Sequence, residues 1–441
     1  MTIEVAGSGE VAGALPQRKD WFGQPRGLTI LFLTEMWEMF SYYGMRALLV
    51  YYMVKQLALT QQRASLIYGL YTAFVYFTPI VGGVVCDRWL GRRNSVLLGG
   101  SIMAIGHFMM AFESLFFVAL ATIGLGNGLF LPSLPSQING LYRHDDPRRS
   151  TAYNYYYLGV NVGAFLAPLG CGTIGELYGW HWGFTVAGIG MVGGLFIYIF
   201  GSRYLPPELP PEPPRAPTPP SIARQRWYEA GMARRFALLA GICGVVVVFR
   251  GAYEQIGNTL PLWIEHVDRS AGAFTIPMTW FQSLNPLLVF LLTPWFVARW
   301  VRHAREGHEL SSIRKMAVGA GGVALSYLLL AAVAAWSGGN VVAEGWIWLV
   351  MFFVVMTAGE LYILPIGLGL FGRLAPAGFT ATTIALWFLA AFFGNLLAGA
   401  FGTLWSRMSP QQFFAVTAAI AALSGALLLT FNRPAQRAEA E

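Results

Sequence analysis

Charged residues are scarce in this chain. Asp, Glu, Lys and Arg make up 12% of its 441 residues, whereas a soluble protein carries about a quarter. Hydrophobic residues reach 56%, and the mean hydropathy is +0.53. The shortage of charge excludes an ordinary cytosolic enzyme, and the excess of apolar residues excludes a disordered or fibrous chain.

Cysteine is also rare, which limits the covalent and metal chemistry available. The three cysteines, Cys86, Cys171 and Cys243, lie in apolar runs without disulfide or zinc spacing. No nucleophile–base pair, metal-ligand cluster or phosphate-cradling glycine loop stands out. We therefore expect no catalytic residues, no metal and no cofactor, and we do not expect an enzyme.

Long apolar runs dominate the chain instead. A helix needs about 20 apolar residues to cross a bilayer, and such continuous runs do not fit the alternating strands of a membrane barrel. The sequence predicts an all-α polytopic membrane protein with 12 transmembrane helices. They are expected near 28–54, 66–86, 94–112, 115–141, 152–175, 182–202, 235–263, 278–299, 314–336, 345–371, 379–403 and 411–431.

The distribution of Lys and Arg supports this count. With a cytoplasmic N-terminus, the cytoplasmic segments hold 23 of the 29 basic residues, the external loops hold four, and two fall inside helices. This is a strong positive-inside bias. It predicts a protein of the plasma (inner) membrane with both termini in the cytoplasm. It also explains the net charge of +7 without nucleic acid.

A proline-rich segment divides the chain. Residues 205–220 contain nine prolines, and such a stretch is extended and semi-rigid. Six predicted helices precede it and six follow, which is the layout of the major facilitator fold, two six-helix bundles with a substrate site near the bilayer midplane. The expected parts are a cytoplasmic tail (1–27), an N-terminal bundle (28–202), a cytoplasmic linker (203–234), a C-terminal bundle (235–431) and a second cytoplasmic tail (432–441).

Six charged residues lie at mid-helix depth, where each costs at least about 2.5–3.5 kcal/mol. Glu35 and Glu38 share one helix face, and two close carboxylates resist joint ionisation, so one of them can carry a proton. Arg250 and Glu254 are four residues apart and could simply neutralise each other. We expect the group to line a polar cavity, with ion pairs that only lock helices together as the alternative. The six are Glu35, Glu38, Arg46, Arg250, Glu254 and Glu360.

Further polar residues and prolines interrupt the apolar runs. Asn161 lies in YYLGVNVGAF and Asn285 in QSLNPL. Pro286 is expected to break the eighth helix near its middle, and Pro365 with the Gly359–Glu360 pair the tenth; each is a hinge or, by default, a structural kink. A proline inside a membrane helix is tolerated where the freed carbonyl finds another partner.

Several segments resemble the proton-dependent oligopeptide transporters, a branch of the major facilitators. FLTEMWEMFSYYGMRALLVYY at 32–52 is similar to the first helix of that family, which carries an E-x-x-E-R motif. Further matching segments occur in the family's order along the chain. They are YGLYTAFVYFTPIVGGVVCDRWLGRR (68–93), YYLGVNVGAF (156–165), YEQIGNT (253–259), QSLNPL (282–287), GELYILPIGL (359–368) and WFLAAFFGNLLAG (387–399).

The resemblance implies proton-coupled symport of di- and tripeptides by a monomer in the lipid bilayer. It assigns the peptide's carboxylate to Arg46 and its ammonium to Glu360. It assigns the peptide backbone to Asn161 and Asn285, and the side-chain pockets to Tyr42, Tyr43, Tyr71 and Trp387. It places Glu35, Glu38 and Glu254 in the proton-coupling set. Asp87 and Arg88 resemble the superfamily's gating loop, although the loop's charges could instead only anchor it to the cytoplasmic side.

The chain departs from the family pattern at two cations. Met39 stands where the E-x-x-E-R motif has arginine, and Leu131 stands where the fourth helix usually has lysine. Arg250, at a position often aromatic in the family, is the obvious substitute cation. We expect it to neutralise Glu254 and join the proton-coupling set, unless it points to the cytoplasmic end.

These departures have two further consequences. Arg250 could also extend to the Glu35–Glu38 pair. A less cationic cavity predicts a weaker preference for free carboxylates. The alternatives are an exporter or facilitator of another solute, or a non-transporting sensor on the same fold.

Overall fold

A computed structural model describes residues 20–142, 146, 148–207, 232–338, 340–376 and 379–440. Residues 1–19 of the predicted N-terminal tail and residues 208–231 of the predicted linker lie outside this part of the chain. Within it, helices dominate, because long apolar runs must satisfy their backbone hydrogen bonds internally.

The described residues of the N-terminal half form six long helices. The second continues through a π-helical turn, Cys86–Leu90, and the fifth through Pro168–Gly172 and a short helix, Thr173–Tyr178. The six are α1 (Arg26–Lys55), α2 (Gln61–Val85), α3 (Arg92–Met109), α4 (Phe116–Ser133), α5 (Arg149–Ala167) and α6 (Trp180–Gly201).

The C-terminal half contains six more. The first of them is discontinuous: after Tyr253 it resumes as two short helices, Gln255–Asn258 and Leu260–Ile264. The six are α7 (Met232–Tyr253), α8 (Phe281–Arg305), α9 (Ser312–Ser337), α10 (Gly345–Arg373), α11 (Thr380–Gly402) and α12 (Pro410–Thr430).

Short elements complete the described chain. A two-stranded hairpin pairs Asp20–Trp21 with Gln24–Pro25, and a second pairs Ser270–Ala271 with Phe274–Thr275. Much of the last segment, predicted as a tail, forms a helix at Asn432–Ala440. Neither hairpin was predicted, because each strand is only two residues long.

The twelve helices form the two predicted six-helix bundles. In the first, α1 packs against α5 and α6, while α3 and α4 pack together. In the second, α9 packs against α10 and α12, while α7 packs against α11. The bundles meet where α2 lies against α11 and where α5 lies against α8. The predicted architecture is confirmed.

Among the described residues, ten helices are long and apolar enough to cross a membrane by length and composition. The two outside this set are α1 and α3. The first carries Glu35, Glu38 and Arg46 within its span, and the second begins with Arg92 and Arg93. The charged residues that lower the apolar character of α1 are those expected to serve a polar cavity.

The predicted breaks at prolines in α8 and α10 were wrong. Helix α8 runs without interruption through Pro286, and α10 runs through Gly359, Glu360 and Pro365. A proline removes one backbone hydrogen bond, and the neighbouring bonds of a long helix maintain its course. The break lies instead at Glu254, between α7 and the short helix Gln255–Asn258.

Glycine allows α2 and α11 to approach closely at the junction of the bundles. A Cβ atom added to Gly399 would lie 2.9 Å from the Cα atom of Gly69 and 3.0 Å from the carbonyl oxygen of Ser65. Small residues permit such backbone contact between membrane helices. These two glycines therefore allow the bundles to approach closely beside the polar residues that were predicted to line a cavity.

Candidate functional site

A cavity of about 160 Å³ lies between the bundles. Helices from both halves supply its walls, and the charged residues are unusually concentrated there for a membrane protein. Its lining consists of Tyr43, Arg46, Tyr76, Pro168, Arg250, Tyr253, Glu254, Ile256, Gly257, Gln282, Asn285, Pro286, Phe353, Glu360 and Leu364.

Arg46 connects the two bundles inside this cavity. Its Nη2 atom lies 2.8 Å from Oε2 of Glu254, and the side chains are only 15% and 5% exposed. Its Nε and Nη2 atoms also donate to the Tyr68 hydroxyl at 2.8 and 2.6 Å. A Cβ atom at Gly257 would come within 3.0 Å of Nη2 of Arg46. A glycine just after the break in α7 therefore leaves room for this pair.

Arg250 occupies the other side of the same carboxylate. Its Nη1 atom lies 3.2 Å from Oε1 of Glu254, one helical turn further along the chain. Both residues are buried. The sequence spacing predicts this contact, and the structure contains it. Glu254 thus lies between two guanidinium groups, one from each bundle.

Glu360 forms a separate polar group on the C-terminal bundle. Nδ2 of Asn285 donates to its Oε2 at 2.5 Å and to Oγ1 of Thr357 at 3.1 Å. Tyr253 lines the same cavity. Glu360 has no basic partner at ion-pair distance among the described residues, so its carboxyl group is available to a cationic group in the cavity.

Four residues predicted to contact substrate do not line this cavity. Tyr42, Tyr71 and Trp387 are 8%, 4% and 4% exposed and pack within the bundles. Asn161 donates from Nδ2 to the Tyr157 carbonyl of its own helix at 2.9 Å. Packing turns these side chains away from this cavity, and the substrate contacts that the resemblance assigns to them remain predictions.

Glu35 and Glu38 are buried at a different place, inside the N-terminal bundle. They are 2% and 1% exposed, and neither lines the cavity. Both carboxylate oxygens of Glu38 and Oε2 of Glu35 lack a hydrogen-bond partner in the described part of the chain. The predicted extension of Arg250 to this pair was wrong, because Arg250 turns towards Glu254.

Asp87 and Arg88 lie far from this chemistry. Both are exposed in the π-helical turn that follows α2. Neither forms an ion pair with another described residue. Their predicted gating role remains a prediction.

Some residues of the cavity were missed by sequence reasoning. Tyr68 holds Arg46, while Tyr253 and Gln282 belong to the lining. One signal was present: Tyr68, Thr72 and Tyr76 recur every four residues and share a helix face. The guanidinium carbon of Arg250 lies 5.8 Å from the centre of the Tyr76 ring, so this face of α2 borders the cavity.

Hydrogen bonds between described residues of the two bundles concentrate at one end and around the cavity. Glu176 accepts from the backbone nitrogens of Met278 and Thr279 at 2.9 and 2.8 Å, and from Oγ1 of Thr279 at 2.7 Å. Nearby, Nζ of Lys55 lies 3.2 Å from Oε1 of Glu265. This is the end opposite the arginine-rich loops.

Comparisons with known proteins identify the family that this chain is similar to. The family model PTR2, described as the POT family, matches residues 93–217 and 229–418. The chain is 33% identical to a di-/tripeptide transporter of Lactococcus lactis subsp. cremoris, covering 94% of this chain and 97% of that protein. It is 32% identical to a peptide transporter of Yersinia enterocolitica, covering 88% and 89%.

Solved structures give the same result. The crystal structure of a peptide transporter POT in complex with sulfate matches with a TM-score of 0.86 and 29% identity, covering 96% of this chain and 97% of that one. A POT family transporter in complex with 5-aminolevulinic acid matches with a TM-score of 0.83 and 25% identity, covering 95% and 98%.

Proposed function

This chain belongs to the POT family, and from that membership we propose that it carries di- and tripeptides or peptide-like molecules across the membrane together with protons. The single observation that supports this best is the position of Arg46 and Glu360. They come from opposite bundles and line one cavity. A small zwitterion needs a cation at one end of its site and an anion at the other.

We place the two ends of the substrate accordingly. The carboxylate binds the guanidinium of Arg46, which can form two parallel charge-assisted hydrogen bonds. The ammonium binds Glu360, whose carboxylate is oriented by Asn285 at 2.5 Å. Tyr43 and Tyr253 lie beside these groups. Because the two charges belong to different bundles, a bound peptide links the bundles.

Glu254 connects this binding to a proton. Its carboxylate and the carboxylate of the substrate compete for Arg46, which lies 2.8 Å from Glu254 in this structure. A proton on Glu254 removes its negative charge and weakens its hold on Arg46. Loss of that proton restores the negative charge of Glu254, which then competes with the substrate carboxylate for Arg46 and lowers the affinity for the substrate. We propose Glu254 as the main coupling acid, with Glu35 and Glu38 as a second protonatable group.

We propose that this is a state closed at the external end, and the position of the bundle contacts supports it. The positive-inside rule assigns the arginine-rich end to the cytoplasm, so Glu176 and the Lys55–Glu265 pair lie at the external end. With these contacts formed, the cavity serves the cytoplasmic side. Alternating access then requires the external contacts to break while the cytoplasmic ends approach, with Asp87 and Arg88 on the moving side.

The remaining assignments follow from the same picture. We propose that the protein acts in the plasma (inner) membrane with both termini in the cytoplasm. We also propose that it functions as a monomer, since one chain supplies the cation and the anion of the cavity.

Uptake into proteoliposomes tests the proposal. Vesicles with the purified protein should accumulate radiolabelled dialanine when the pH is lower outside than inside, and accumulation should fall when a protonophore removes the gradient. Empty vesicles are the control. Absence of uptake under either condition would overturn peptide transport, while uptake that ignores the gradient would overturn proton coupling alone.

A further inference from the structure

We infer that Arg250 and Arg46 form a two-arginine site in which Glu254 and a substrate carboxylate share two cations. This inference deepens the proposed function and rests on it. It makes Arg250 a determinant of specificity for molecules with a free carboxylate. It also reverses the expectation, drawn from Met39 and Leu131 alone, that such molecules would be less preferred.

The first support is the arrangement around Glu254. Its two oxygens face different arginines, Arg46 at 2.8 Å and Arg250 at 3.2 Å. When a substrate carboxylate takes Arg46, Glu254 keeps Arg250. With only one arginine at this end, two carboxylates would compete for one cation, and an uncompensated buried charge is strongly unfavourable.

The second support is the unused hydrogen-bonding capacity of Arg250. This residue is 7% exposed and lines the cavity. Its Nη1 atom donates to Glu254, and its Nη2 atom donates to no described residue. A carboxylate in the cavity is an acceptor of suitable charge for that remaining donor.

The third support is that the surroundings hold Arg250 in place. Its guanidinium lies 5.8 Å from the centre of the Tyr76 ring on the opposite bundle. On its other side is Gly394 of α11, where an added Cβ atom would lie 3.2 Å from Cδ of Arg250 and closer still to its Cβ. The side chain therefore packs between α2 and α11, and the charge stays beside Glu254.

The charge count of the cavity is consistent with this reading. Arg46 and Arg250 balance Glu254 and Glu360 when the cavity is empty. A zwitterion adds one charge of each sign, so two cations then face two carboxylates at one end, while Glu360 meets the ammonium at the other. Because Met39 and Leu131 are uncharged, Arg250 supplies the second cation in this balance.

Arg250→Gln with a matched pair of ligands tests the inference. Binding of dialanine and of dialanine amide is followed by thermal-shift titration of the purified protein. We expect the variant to bind dialanine about tenfold to a hundredfold more weakly, in line with the loss of one charge-assisted interaction. Its affinity for the amide should change by less than about threefold. Arg63→Gln, at an exposed arginine of the external end, is the control variant.

A double variant separates a specific role from a structural one. In Arg250→Gln, adding Glu254→Gln leaves one cation for one carboxylate, so the affinity for dialanine should recover. Equal losses for both ligands, no loss, or failure of Glu254→Gln to restore binding would each overturn the inference. If the unaltered protein binds neither ligand and takes up no peptide, the proposed function itself fails.

Discussion

Replacing Glu176 by glutamine is expected to weaken the contact that holds the bundles together at the end opposite the arginine-rich loops, which is the external end in the proposed topology. The carboxylate of this half-buried residue accepts three hydrogen bonds from Met278 and Thr279, in the turn just before α8, at 2.9, 2.8 and 2.7 Å. Hydrogen bonds to a charged acceptor contribute about 1.5–3 kcal/mol each, and those to a neutral one about 0.5–1.5.

The expected change follows from these magnitudes. Glutamine keeps one acceptor oxygen and loses the charge, and water partly compensates at a half-buried position. We estimate a loss of about 2 kcal/mol, which shifts the equilibrium towards the externally open state by about thirtyfold. A state populated at about one part in a hundred would then reach roughly a quarter of the molecules.

Distances between spin labels measure this shift. Trp182 and Trp336 are exposed at the external ends of α6 and α9, so cysteines placed there report the separation of the bundles. The three native cysteines are buried and should label poorly. Glu176→Gln should add a population at longer distance. Glu113→Gln should not, because among the described residues the Glu113 carboxylate accepts a hydrogen bond only from Gln56 of its own bundle, at 2.7 Å. Identical distance distributions in the two variants would refute the reasoning.

Three further predictions concern single carboxyl groups. Glu360→Gln should weaken binding of dialanine about tenfold or more and leave N-acetyl-dialanine unaffected; equal effects on both in a thermal-shift titration would contradict the ammonium assignment. Glu38→Gln should change the free energy of unfolding by less than about 1 kcal/mol, because a protonated glutamic acid and a glutamine are both neutral. Glu254→Gln leaves two arginines without their carboxylate partner and should cost about 3–5 kcal/mol. Thermal unfolding compares the two variants, and equal losses would argue against a protonated Glu38. Hydrogen bonds from the Arg148 side chain and backbone lower the pKa of Asp146, so its contribution to stability should be constant above about pH 5 and fade below about pH 4. The unfolding temperature of the unaltered protein minus that of Asp146→Asn, measured against pH, checks this, and a difference that grows in acid would show that the sign is wrong.

The helices were predictable because their signal is strong and local. Apolar runs near 28–54 and 345–371 correspond to Arg26–Lys55 and Gly345–Arg373. Arg250 and Glu254 were also placed together, since a separation of four residues fixes their relative position on a helix. These inferences need no knowledge of how the helices rotate against each other.

The rotation of each helix was the part that sequence could not supply. Tyr42 and Tyr43 are neighbours, yet only Tyr43 reaches the cavity, because adjacent residues point about 100° apart and packing with other helices selects one. Trp387 is buried against Phe371 at 5.1 Å between ring centres. The contact between Arg46 and Glu254 spans 208 residues, a distance over which no local pattern carries information.

The break in α7 was missed for a related reason. Glu254 precedes a short helix in the apolar run 235–263, whose four glycines, Gly241, Gly244, Gly251 and Gly257, do not single out this position. Breaks were predicted at Pro286 and Pro365 instead, where the helices continue. An interruption without proline depends on tertiary partners, here Arg46 and Tyr68 beside Gly257.

The most direct measurement of the central claim is a structure of this protein with dialanine bound. The account predicts the peptide between the bundles, with its carboxylate within about 3.2 Å of the Arg46 guanidinium and its ammonium beside Glu360. A peptide in the reverse orientation, or one bound away from both side chains, would contradict it.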